Sequence, residues 1–151
     1  MRITVIGTTY LDTIGYGNRR EGAFNNSATA VRMHHGGIAR NIAEDLGNME
    51  MKPVLVSMVS DNAFGYEITE KLERHHVDTK FIVRKKDALG LWMAILNAKG
   101  EIVAESITKP DPTPIYEILK KDGDAIFRNA SCIALELGLN RKTLNLIFSL
   151  A

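Results

Sequence analysis

The sequence has little of what would place it outside a reducing compartment or in a membrane. It has a single cysteine, Cys132. No disulfide framework can form within the chain, and a reducing cytoplasm is the simplest expected home. No apolar run approaches the roughly 18 residues of a membrane span. The opening "RITVIG" is too short and too strand-like for a secretory leader. Neither sign of charge is in excess: nineteen Lys and Arg against eighteen Asp and Glu leave a net +1. That removes any global electrostatic reason to bind nucleic acid or an anionic membrane. There is no Walker A motif, and "GYGNRREG" is not the strand-to-helix GxGxxG of a dinucleotide site. His34-His35 and His75-His76 are adjacent pairs, whereas helical metal ligands usually stand at i, i+4; no metal site is expected. Internal repeats and low-complexity segments are absent.

What is present is a chain of 151 residues, 45% apolar and 25% charged, the profile of one soluble globular domain. A domain of this size buries roughly 70% of the surface that its unfolded chain exposes. "RITVIG" (2–7), "PVLVSMV" (53–59), "KFIVR" (80–84) and "SCIALEL" (131–137) read as strands, the apolar runs among them as buried ones. In the last of these, Cys132 reads as a small buried hydrophobe rather than a nucleophile. Residues 28–33 are a further candidate strand, and 16–24 are glycine-rich loop. Residues 37–49 read as a helix with Ile38, Ile42, Leu46 and Met49 on its apolar face. Phe64, Ile68 and Leu72 mark a second helix ending near His75, with His75-His76 suiting the dipole there. A third helix spans 115–121, after the turn-forming "KPDPTP", and "KDGDA" (121–125) reads as a polar surface turn. Asn140 is placed to cap a last helix at 141–150. "LGLWMAILN" and "EIVAESI", joined through "AKG", read as a hairpin. Arg19-Arg20 and Arg84-Lys85-Lys86 read as solvated loop charges, with phosphate contact as the alternative.

Strands alternating with helices argue for parallel βαβ units in a three-layer α/β fold. The hairpin interrupts that rhythm, as a cover or lid would. The chain stops on a helix directly after its third βα unit, so it reads like the opening of a larger α/β domain.

The stretch "MHHGGIARNIAEDLG" (33–47) poses the chemical question. A helix N-terminus presents unpaired N–H groups and partial positive charge. Glycines before it let a ligand approach the backbone closely. Gly36-Gly37 can therefore meet an anion or hydroxyls, and the Asn41 amide, about one turn in, both donates and accepts. Asp12, just past the first strand, lies where ligands of open parallel sheets bind, and a carboxylate there can accept from two vicinal hydroxyls. The alternative at this point is that Gly-Gly is only a tight loop and Asn41 a solvated helix residue.

The order of these parts resembles the N-terminal signature of the ribokinase-like (PfkB) carbohydrate kinases. That signature has a Gly-Gly, an Asn four residues later, a helix and a strand, then a "GDDxFG"-like turn and "GVDT". Here the parts are Gly36-Gly37, Asn41, "SDNAFG" (60–65) and "HVDT" (76–79). The likeness covers nearly the whole chain, and "GGIARNIAEDL" and the hairpin most resemble the pseudouridine kinases. It implies residues 1–151 as the N-terminal portion of one ribokinase-like domain: a parallel sheet with helices on both faces and a small β lid from about 14–33 and 80–107, truncated on its C-terminal side. It also implies a sugar or nucleoside substrate held by Asp12, Gly36, Gly37 and Asn41. Trp92 or Met93 of the hairpin would pack on a nucleobase, the alternative for Trp92 being lid core.

The family transfers the γ-phosphoryl of ATP, with Mg, using an aspartate in a Gly-Ala-Gly-Asp motif whose glycines help to stabilise the developing charge. That motif is not in this sequence. The resemblance therefore implies a substrate-binding half with no catalytic residue and no cofactor of its own. Pseudouridine is the expected substrate if the subfamily likeness holds. A ribokinase- or fructokinase-like sugar kinase is the alternative, and a non-catalytic sugar-binding or self-associating domain is the reading from another class. The expected partners are a second copy or a missing C-terminal half.

Overall fold

The computed structural model describes residues 2–17 and 30–151. β1 (Ile3–Ile6) and β4 (Val54–Ser60) are buried at every position, which is why they read as continuous apolar runs rather than alternating ones. They lie at the centre of a four-stranded sheet of order β5-β4-β1-β8, with β5 (Asp78–Lys85) and β8 (Cys132–Leu135) as its edges. All three pairings are parallel, with Val5 opposite Leu55 and Ala134.

Alternation along these strands feeds two cores. Val5, Leu55 and Val59 pack with Ala39, Ala43, Ile68 and Leu72 of α1 (Ile38–Asn48) and α2 (Ala63–Arg74). Ile6, Val56 and Met58 pack with Ile115, Leu119, Ile126 and Ile147 of α3 (Thr113–Phe127) and α4 (Arg141–Leu150). The result is the expected three-layer α/β sandwich, helices on both faces. Asn62 and Asn140 cap α2 and α4, their side-chain oxygens accepting from the backbone N–H of Gly65 and Thr143. Each satisfies one of the orphan donors of a first turn.

A second sheet stands beside the first, in the order β3-β2-β6-β7. It comprises β2 (Tyr10–Tyr16), β3 (Ala30–Gly36), β6 (Gly90–Leu96) and β7 (Ile102–Thr108). β2 pairs parallel with β6 and antiparallel with β3, and β6–β7 is the hairpin.

Several expectations are corrected. The core-facing stripe of α1 is Ala39, Arg40, Ala43, Glu44 and Gly47, whereas Ile38 is 65% and Met49 69% exposed. Small residues let the helix lie close to its neighbours. A Cβ at Gly47 would sit 2.0 Å from the His75 carbonyl oxygen. α3 runs through "KDGDA" instead of ending before it; Gly123 is buried, with Leu150 close to where its Cβ would be. β8 is shorter than expected and only half-buried, and Cys132 is exposed, because an edge strand has one neighbour instead of two. Arg84 lies in β5, exposed but stacked 4.2 Å from the Tyr66 ring and donating to Thr69 Oγ1 at 2.6 Å; it is a partnered strand residue and not a loop charge. The candidate strand at 28–33 is β3 from Ala30 on and continues to the first glycine of the pair, Gly36; positions 28–29 lie outside the described residues. Arg19, Arg20 and most of the glycine-rich stretch 16–24 lie outside them too. Of the segment 80–107 assigned to a lid, residues up to Lys85 pair with β4 in the parallel sheet.

Candidate functional site

β1 ends at Ile6, and the backbone crosses at once into the second sheet through Gly7, Thr8 and Thr9. The crossing is held from three sides. Thr9 Oγ1 is 2.8 Å from Ser57 Oγ of β4, the Thr9 carbonyl accepts from Gly90 N at 2.9 Å, and Thr8 is bound by Glu136. The Glu136 carboxylate accepts from Thr8 N at 2.7 Å and from Thr8 Oγ1 at 3.0 Å. Glu136 follows β8, so it stands at the carboxyl ends of β1 and β8. The chain fills β4 and β5 on one side of β1 and then returns to the other side as β8. That is a topological switch point, where open α/β sheets bind ligands.

Asp12 is the third residue of β2 and pairs directly with His34 of β3 and Trp92 of β6. All three side chains therefore share one face of the second sheet. Asp12 is half-buried and accepts no hydrogen bond among the described residues. Burial pushes its carboxyl above the ordinary range, while His34 and Arg40 pull the other way. Gly36, the last residue of β3, lies against it: a Cβ at Gly36 would be 2.2 Å from Asp12 Oδ2. Gly37, the N-cap of α1, has φ 99°, and its missing Cβ would be 2.6 Å from the Thr8 carbonyl oxygen. Both glycines thus have a structural reason to be glycine besides any ligand: one makes room for the carboxylate, the other lets the turn close on the crossing strand. Asn41, on the first turn of α1, is exposed, and its N–H donates to the Gly37 carbonyl at 2.9 Å.

The structure thus sets Asp12 against Gly36 and places Gly37 and Asn41 immediately after, at the start of α1. It separates the two hairpin candidates. Trp92 lies on the Asp12 face with its indole Nε1 donating to Glu105 Oε2 at 3.1 Å, whereas Met93 points to the opposite, exposed face. Two residues were missed by sequence reasoning. Glu136 is brought to the site only by strand order. Arg40, buried on α1, carries a signal that periodicity misread: a charged residue between Ala39 and Ala43 on the packed stripe. No group of three His, Cys, Asp or Glu side chains among the described residues is arranged to hold a metal ion.

Comparison with known proteins places the fold and the family. The guanosine-inosine kinase of Exiguobacterium acetylicum is 19% identical over 140 residues, 92% of this chain and 46% of its own length. A carbohydrate kinase from Agrobacterium tumefaciens superposes with a TM-score of 0.79 at 21% identity, over 99% of this chain and 50% of that one. The ribokinase of Arabidopsis thaliana, solved with ribose and ATP, superposes with a TM-score of 0.78 at 17% identity, over 98% and 49%. The chain spans about half the length of each of these relatives. Residues 1–112 match the profile of the pfkB family carbohydrate kinase, and the chain belongs to that family.

Proposed function

We propose that this chain is the substrate-binding half of an ATP-dependent sugar or nucleoside kinase, with Asp12, Gly36, Gly37 and Asn41 receiving the substrate's hydroxyls. The observation that carries the reading is the Asp12 carboxylate: half-buried, held against Gly36, and without a hydrogen bond from the described residues. A carboxylate kept partly from water at a cost is poised for a donor supplied by a ligand. Glu136, across the switch point, adds a second acceptor, and the exposed N-terminus of α1 adds donors. The second sheet serves as the lid.

ATP and Mg would supply the transferred phosphoryl group in the complete enzyme. The residues of this chain do not fit them: no acidic cluster is arranged for a metal among the described residues, and Gly-Ala-Gly-Asp is absent from the sequence. Those roles are assigned to the remainder of a full-length kinase, and this chain alone is expected to phosphorylate nothing at kinase rates. Pseudouridine is the favoured substrate. Trp92 on the Asp12 face offers a surface on which a base attached to the ribose can stack, which favours a nucleoside over a free sugar. The cytoplasm is the proposed location; no helix among the described residues is long and apolar enough to cross a membrane.

A second reading, a self-associating domain, is favoured by one observation. Val31, Met33, Leu91, Met93 and Ile95 are all exposed on the same face of the second sheet, the one opposite Asp12. A patch of this kind marks an interaction surface, and a second copy is its proposed partner.

Titration of the isotope-labelled chain with D-ribose, pseudouridine and guanosine, followed by amide NMR, tests the main reading. Shifts are expected at Gly36, Gly37 and Asn41, strongest with pseudouridine. No response to any of the three at millimolar concentration overturns it.

A further inference from the structure

Arg40 is 5% exposed, a burial that guanidinium groups tolerate only when paired. Its partners lie on both sides. Nε donates to Asn41 Oδ1 at 3.1 Å, and Nη2 donates to the same oxygen. Nη1 donates to Glu44 Oε2, one helical turn on. Glu44 is held in turn by Lys71 of α2, whose Nζ is 2.8 Å from Oε1, with His75 Nε2 3.6 Å from the same oxygen. The guanidinium is thus clamped from behind by a carboxylate that α2 anchors, and its forward edge faces the Asn41 side chain.

A guanidinium has donors only. The atom of Asn41 that faces it must therefore be the carbonyl oxygen, which settles the orientation of an amide whose oxygen and nitrogen otherwise look alike. The amide nitrogen has no partner among the described residues. Asn41 alone could either donate to a ligand or accept from it; with its oxygen already occupied, it donates.

We propose that Arg40 is a positioning residue that fixes the Asn41 carboxamide as a hydrogen-bond donor toward the substrate, with Glu44 and Lys71 holding Arg40 in place. This rests on the reading of Asn41 as a substrate contact. It sharpens what the site selects. Asp12, when ionised, only accepts, and Asn41 only donates. The group or adjacent groups they share must both give a proton to a hydrogen bond and receive one, as a hydroxyl or vicinal diol does. A carbonyl or a fluorine at that position satisfies one partner and leaves the other unpaired.

The test uses the labelled chain without ligand and then with it. In the wild type the Asn41 side-chain amide is expected to be as ordered as the α1 backbone, with an order parameter of about 0.85, and to fall below about 0.6 in Arg40→Met while the α1 backbone signals persist. Arg40→Lys, which keeps the charge but offers no fork, serves if the methionine variant fails to fold, and the same fall is expected. An Asn41 amide that stays ordered in the folded variant overturns the proposal. Asn41→Asp, which can still accept from Arg40 but cannot donate, is expected to weaken pseudouridine binding at least tenfold; wild-type affinity there overturns the donor assignment. If the wild-type chain responds to neither D-ribose nor pseudouridine, the substrate-site reading is what fails, and the order parameters still judge whether Arg40 holds the amide.

Discussion

The carboxylate of Asp12 occupies the volume in which a side chain at position 36 would stand, a Cβ on Gly36 falling 2.2 Å from Oδ2 and 2.5 Å from Oδ1. Gly36 pairs with Tyr10 and His34 with Asp12, so the carboxylate reaches its glycine diagonally across the β2–β3 ladder. Gly36→Ala is expected to push the carboxylate out of place, weakening any ligand held by Asp12 and costing about 1–3 kcal/mol of stability through overpacking. Chemical denaturation with ligand titration measures both; an alanine variant equal to the wild type in both would show that the close approach is unimportant.

Asp12 itself should reveal the strain of a site kept ready. Burial raises its folded pKa, and the opposing pull of His34 and Arg40 does not cancel this. Folding therefore favours the protonated form. The stability this contributes is complete below the unfolded value of about 3.9 and is lost as pH rises through the higher folded value. Asp12→Asn is expected to melt at a higher temperature than the wild type at pH 7, the gap closing as the pH is lowered into the acid range. It should also lose about 1.5–3 kcal/mol of substrate binding, the value of a hydrogen bond to a charged group. Equal melting temperatures at neutral pH would show that Asp12 is not strained.

Glu44 has the opposite sign. Burial raises its pKa, but Lys71 and Arg40 together outweigh burial and bring it below the ordinary value. Its contribution is present above the unfolded value of about 4.3 and is lost as pH falls through the depressed folded one. Glu44→Gln is expected to cost about 1–3 kcal/mol at pH 7, with the two proteins converging in acid. A gap that persists unchanged at the lowest pH would mean that the loss is one of packing and not of charge.

His76 carries a backbone cost. It has φ 61°, in the left-handed region, and it is exposed. The signature that the chain resembles has glycine at this place. His76→Gly is expected to stabilise the fold by about 0.5–1 kcal/mol, the relief of left-handed strain being partly offset by a freer unfolded chain. Urea unfolding measures it, and a less stable variant would show that the imidazole makes a contact outweighing the strain.

Association follows from two bare surfaces. β8 is a half-exposed edge with Leu137 75% exposed beyond it, and the outer face of the second sheet presents Met33, Leu91 and Met93. Burying each such side chain is worth roughly 1.5–3 kcal/mol. The chain is expected to sediment as a dimer or larger at micromolar concentration, with Met93→Glu shifting it toward monomer. A single monomeric species that binds no apolar-surface dye would show that these surfaces are satisfied within the chain.

The sequence by itself determined the alternation of strands and helices, the hairpin, the parallel central sheet and the cap at Asn140. Each depends on residues close together in the chain, through the periodicity of burial or one side chain reaching the next turn. The glycine pair with Asn41 was legible for the same reason, because strand end, cap and first turn are consecutive. Which face of α1 is buried was not. Ile38, Ile42 and Met49 are as apolar as any core residue, but the sheet and α2 approach along Ala39, Ala43 and Gly47, where small side chains admit a close backbone. β2 was hidden because its strand character comes from pairing with β3 and β6, not from its own composition. Glu136 reached the site only through strand order, which brings it to Thr8 across 128 positions of sequence. The same packing buried Arg40 between Asn41 and Glu44, so that a charged helix residue became the group that decides how Asn41 is presented. Such choices are made by partners distant in the chain, and local pattern carries no record of them.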